Sequence, residues 1–74
     1  MNSLNNKLKI LDVVALLQNI PEKKLLMGQV GTIVETLSEK VYEVEFTSNN
    51  GETIALAAID SENLLLLHYE FEPV

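Results

Sequence analysis

Val41-Tyr42-Glu43-Val44-Glu45-Phe46 alternates apolar and polar residues without a break, the period-two signature of a strand with one buried face. Upstream, Gly28-Gln29-Val30-Gly31-Thr32-Ile33-Val34-Glu35 is β-branched and starts on glycine, and Leu37 to Lys40 reads as a four-residue hairpin loop between the two. That loop sets Thr36 opposite Val41, Ile33 opposite Val44 and Gly31 opposite Phe46. A glycine across from a phenylalanine leaves space for the ring and lets the backbone curve. Glu43 and Glu45 then point outward, beside Val34 and Thr32.

Downstream, Asn49-Asn50-Gly51 can turn in two ways. A two-residue Asn50-Gly51 loop pairs Phe46 with Ala55 and expels Ile54 and Leu56 from the core face. A three-residue loop with Gly51 left-handed pairs Phe46 with Ile54, Val44 with Leu56 and Tyr42 with Ala58. A one-residue slip moves every side chain to the other face, so the hydrophobic pattern favours the three-residue loop. The product is a three-stranded meander.

Further out, the apolar run Leu11 to Leu17 predicts a buried strand, favoured by Val13 and Val14 and closed off by Pro21. Leu4, Leu8, Leu11 and Ala15 also fall at helical spacing, so a helix over Leu4 to Asn19 laid on a three- or four-stranded meander is the competing fold. Gln18 to Met27 reads as a long, partly packed loop. Asp60-Ser61-Glu62-Asn63 signals a single turn before Leu64-Leu65-Leu66-Leu67-His68-Tyr69, the last apolar run. Five short strands in this arrangement predict an all-β fold, a small SH3-like barrel with a long first loop and a single turn before the last strand. Closing the sheet limits exposed edges, which suits a chain too small to build a covering layer. Residues 1–10 are expected to be a loose leader and residues 11–74 a single domain.

Composition narrows the function classes. A chain of 74 residues buries only about 60% of its unfolded surface, so it depends on apolar packing, for which 47% hydrophobic residues suffice. With no cysteine there is no thiolate nucleophile, zinc knuckle or disulfide framework, and a reducing cytoplasm is the expected compartment. Lys7 and Lys9 ahead of Ile10 to Leu17 superficially resemble a signal peptide, but Asp12 interrupts the run and no small-residue cleavage site follows. Apolar segments fall short of the roughly 20 residues of a membrane helix. The five lysines all lie in the first forty residues; from Val41 onward come Glu43, Glu45, Glu52, Asp60, Glu62, Glu70 and Glu72 with no lysine. This acidic half repels phosphate backbones and attracts basic partners. Arginine, the fork used for phosphate and base recognition, is absent.

Chemistry-bearing motifs are few. Gly28-x-x-Gly31 lacks the lysine and following helix of a phosphate cradle, and reads as glycines that start and bend a strand. Glu43 and Glu45 share a strand face, but exposed positions solvate both carboxylates and leave no cleft to tune them. His68 has no serine or aspartate constellation, and one histidine does not build a metal site. No catalytic residue, cofactor or metal is expected. The surplus is apolar: Leu25, Leu26 and Met27 in the long loop, and four leucines in the last run, two of which must face away from the core unless that loop covers them. The candidate partner contacts are Leu25, Leu26, Met27, Leu64 and Leu66, with Glu43 and Glu45 supplying charge.

Leu11-Asp12-Val13-Val14-Ala15-Leu16, Pro21-Glu22, the Gly28 to Glu35 strand, Tyr42 to Phe46, Gly51-x-Thr53-x-Ala55-Leu56 and Leu67-His68-Tyr69 together resemble a small bacterial domain family of unknown function, frequent in cyanobacteria. The resemblance spans Leu11 to Pro73 and implies an SH3-like barrel with no activity to carry over. Family members are encoded beside a second small protein, which implies a companion of the antitoxin or immunity type. The Gly-x-x-Gly-x-Ile strand is also similar to nucleic-acid-binding KOW modules, which need basic loops that this chain lacks. A third similarity is to the SH3-like subunit that docks ferredoxin on a photosynthetic dehydrogenase complex; ferredoxin is acidic, and a net charge of −6 opposes that docking. The functional expectation is a non-enzymatic module for a protein partner of basic character. The alternatives are a nucleic-acid-binding barrel using Lys7, Lys9, Lys23 and Lys24, and a structural subunit or homodimer built on the last strand.

Overall fold

Five strands form one antiparallel sheet in a computed structural model that describes residues 8–68. They are β1 (Val13–Leu16), β2 (Val30–Thr36), β3 (Val41–Thr47), β4 (Thr53–Asp60) and β5 (Leu64–Leu66), with single 3-10 turns at Pro21–Lys23 and Ser61–Asn63. The spatial order β4-β3-β2-β1-β5 curls the meander round to a last strand that pairs with the first. This is the SH3-like, barrel-like arrangement expected from the sequence, left open between β4 and β5. The competing helix over Leu4 to Asn19 is replaced, within the described residues, by a turn and β1. Valine pairs such as Val13 and Val14 lose rotamer freedom in a helix and pack well on a pleated surface.

One cluster fills the concave side. Phe46, Leu16, Ile33, Val14 and Val44 are fully buried, and Leu25, Tyr42, Ala57, Ile59 and Leu64 complete the core. Leu25 is the loop's contribution: the segment between β1 and β2 turns at Pro21 and is fastened by reciprocal backbone hydrogen bonds between Ile20 and Leu25. Leu8 also packs on the cluster, and from there the chain runs toward β1. It enters through a tight turn in which the Asp12 N–H donates to Lys9 O at 3.0 Å and the Lys9 N–H donates to Asp12 Oδ2 at 2.9 Å. Leu11 occupies the third position of that turn at φ 80°, a left-handed conformation that a branched side chain resists. Its N–H is held by Ile33 O at 2.8 Å, so sheet pairing keeps the strained turn in place.

Both hairpins differ from expectation, and for the same reason. Ile33 faces Val44 as predicted, but a bulge at Val34 shifts the rest, so that Glu35 faces Glu43 and Thr36 faces Tyr42 rather than Val41. The second turn has the expected three-residue form: Ser48 and Glu52 are joined by a hydrogen bond and Gly51 has φ 84°. Its register is nevertheless the rejected one, with Phe46 opposite Ala55, Val44 opposite Ala57 and Tyr42 opposite Ile59. Thr47 pairs with Thr53 while Phe46 pairs with Ala55, which leaves Ile54 as an extra residue. A bulge of this kind changes the facing of everything beyond it. Alanines therefore meet the bulky β3 side chains inside, and Ile54 and Leu56 are turned out to 53% and 46% exposure.

Candidate interaction surface

The outer face of the sheet can be built row by row from the register. Leu65 lies beside Ala15, which lies beside Val30, giving one apolar row across β5, β1 and β2. Leu65 and Val30 are about half exposed, at 50% and 48%. Alternation along β1 carries Leu17 onto the same face, exposed, with its N–H donating to Asn63 O at 2.9 Å. Leu26 and Met27 are exposed at this end too, because the Gly28 N–H is held by Leu16 O at 2.8 Å and the Met27 N–H by Asn19 Oδ1 at 2.8 Å.

The adjoining row runs Val13, Thr32, Glu45, Leu56 across β1 to β4, and places a carboxylate next to the apolar ground. Glu45 accepts a hydrogen bond from the Thr53 hydroxyl, which fixes its position. Glu43 is on the same face with Glu35 directly across from it, so two like charges oppose each other. Lysines give little local compensation. Lys9 is the one described lysine in an ion pair, with Asp12 at 3.2 Å, and Lys23 and Lys24 sit at the Pro21–Lys23 turn beside Glu22.

The structure redistributes the sequence candidates. Leu26 and Met27 are exposed, and Glu43 and Glu45 lie half-buried on the outer face. Leu25 and Leu64 are core residues that offer no surface of the kind expected of them, while Leu66, paired with Val14, is half-buried. Leu65 is the exposed leucine instead. Four consecutive leucines carry no phase of their own; pairing with β1 sets it, because Leu16 and Val14 are inward and bring Leu64 and Leu66 with them. Leu17, Ile54 and Leu56 are exposed although the hydrophobic pattern places them in buried strand positions, and Val30 stands exposed on the outer face without a signal that singles it out. Among the described residues no group of three or more His, Cys, Asp or Glu is placed to hold a metal ion. No helix among them is long and apolar enough to cross a membrane.

A five-stranded, barrel-like antiparallel sheet with exposed apolar side chains on its outer face defines a small all-β domain. Residues 10–66 match the family described as a domain of unknown function, DUF4926, and the chain belongs to that family. No curated protein matches the chain. No solved structure matches it either.

Proposed function

We propose that the chain is a non-enzymatic protein-binding module that receives a basic partner on the outer face of β5, β1 and β2. The observation that carries this reading is the pair of half-exposed side chains Leu65 and Val30, which flank the buried Ala15 on the outer face, with Glu45 in the adjoining row and Glu43 beyond it. Apolar side chains bordered on one side by carboxylates suit a partner with an apolar anchor and lysines or arginines beside it. A companion of the antitoxin or immunity type, working in a reducing cytoplasm, is the form of this module that the family resemblance favours. A nucleic-acid partner is disfavoured by the same charges, since phosphate contacts need Lys and Arg.

The test is co-expression with the product of the neighbouring gene, followed by co-purification and titration calorimetry. Wild type is expected to bind, with affinity falling as salt rises. Leu65→Asp should weaken binding at least tenfold, and Glu43→Lys with Glu45→Lys should slow association. A chain that stays alone at physiological salt, or that shifts RNA or duplex DNA instead, contradicts the reading.

A further inference from the structure

Strand β4 is the last strand on one side of the open sheet, paired with β3 and, among the described residues, with nothing on its other edge. Its eight residues Thr53–Asp60 contain no proline and no charge before Asp60. Sheets normally shield such an edge with lysine, proline, a bulge or a short strand, because its free N–H and C=O groups template another strand. The only such device here is the bulge at Ile54, near the start; from Ala55 to Asp60 the register with β3 is unbroken. The opposite edge, β5, has only three residues. Ile54, Leu56 and Ala58 are all exposed along the outer side of β4.

We propose that a second copy of this chain pairs with β4, antiparallel and edge to edge, about a two-fold axis at Ala57. Size matching supports this register. It sets Ala57 against Ala57, Leu56 against Ala58 on the outer side and Ile59 against Ala55 on the inner side, so these two bulky side chains each meet a methyl group, while Ile54 at the bulge faces the terminal Asp60. Charge supports it as well. The two Asp60 residues end up at opposite ends, roughly 20 Å apart at about 3.4 Å per residue, well beyond the Debye length of about 8 Å at physiological salt. Glu43 and Glu45 lie one strand in, so the two β3 strands are about three strand spacings, or roughly 14 Å, apart. Parallel pairing would instead stack the Asp60 carboxylates. A basic partner strand finds nothing complementary on an edge whose one charge is terminal. The inference is independent of the β5-β1-β2 face.

Sedimentation equilibrium of the full chain from about 10 μM to 1 mM tests it, alongside isotope-filtered NMR on mixed labelled and unlabelled chains. The expected results are a species of twice the 8.3 kDa chain mass and intermolecular contacts at Ala57. Leu56→Lys should weaken dimerisation at least tenfold while preserving the circular dichroism spectrum, because Leu56 is exposed and Glu45 lies opposite to receive the lysine. Leu37→Lys, at an exposed leucine in the β2–β3 loop, should leave the dimer intact. A monomer throughout the range overturns the proposal. So does a dimer indifferent to Leu56→Lys but broken by Leu65→Lys, which would place the contact at β5, and so does a β4 edge that pairs only with a different protein.

Discussion

Gly31 is where the sequence pattern and the packed core meet most closely. A Cβ added there would lie 2.7 Å from Val44 Cγ1 and 2.8 Å from two carbons of the Phe46 ring, both fully buried. Neither neighbour has free volume to retreat into, since well-packed interiors lack voids. Overpacking of this kind costs about 1–3 kcal/mol, a large share of the stability a small domain has. Gly31→Ala is therefore expected to lower the urea midpoint by that free energy divided by the m-value, about 1–3 M at an m of about 1 kcal/mol/M, with m unchanged; an unshifted midpoint would mean that the ring can move aside. Gly51 is glycine for a different reason: its φ of 84° meets the demand of the turn, while nothing lies within 4 Å of a Cβ there.

At the scale of elements, the strands were legible, and so was the β2–β3 register at Thr32 and Ile33; the registers beyond the two bulges were not. The alternation from Val41 to Phe46 identified β3, and Asp60-Ser61-Glu62-Asn63 marked the turn before the last strand, because periodicity and turn chemistry are local. The bulges at Val34 and Ile54 left no comparable sign. Each depends on what packs across the sheet: Ala55 and Ala57, not Ile54 and Leu56, fit over Phe46 and Val44. The apolar surface was misplaced for this reason, since Leu65 and Leu56 owe their exposure to pairing. The first bulge has an electrostatic consequence: it moves Glu35, rather than Val34, directly across from Glu43. Facing like charges destabilise a strand pair, and opposite charges contribute roughly 0.2–1 kcal/mol, toward the low end when solvated. Glu35→Lys should accordingly raise the melting temperature by a few degrees at low salt and by less at high salt. Equal melting temperatures for the variant and wild type at low salt would imply the unbulged register, with Glu43 beside Val34.

Across the whole molecule, eleven carboxylates against five lysines give a net charge of −6 with a lopsided distribution. The positive side chains precede Val41, and β3, β4 and the turn before β5 carry only acids. The single ion pair among the described residues joins Lys9, largely solvated, to Asp12 in the entry turn, so it does nothing for the acidic strands. Folding brings Glu35 of β2 directly across from Glu43 of β3, closer than an extended chain would hold them. Compaction at high net charge carries a self-repulsion that salt screens, over a Debye length that shrinks from about 30 Å at 0.01 M to about 8 Å at 0.15 M. Stability is thus expected to rise with sodium chloride over that interval, with a melting-temperature gain of a few degrees. In a domain this small a 4–8 °C shift corresponds to about 1 kcal/mol. The measurement is differential scanning calorimetry at one fixed protein concentration, because any dimer couples melting to mass action. A melting temperature that falls on adding salt would mean that attractive pairs outweigh repulsion, and that the lysines of the first forty residues reach the acidic strands after all.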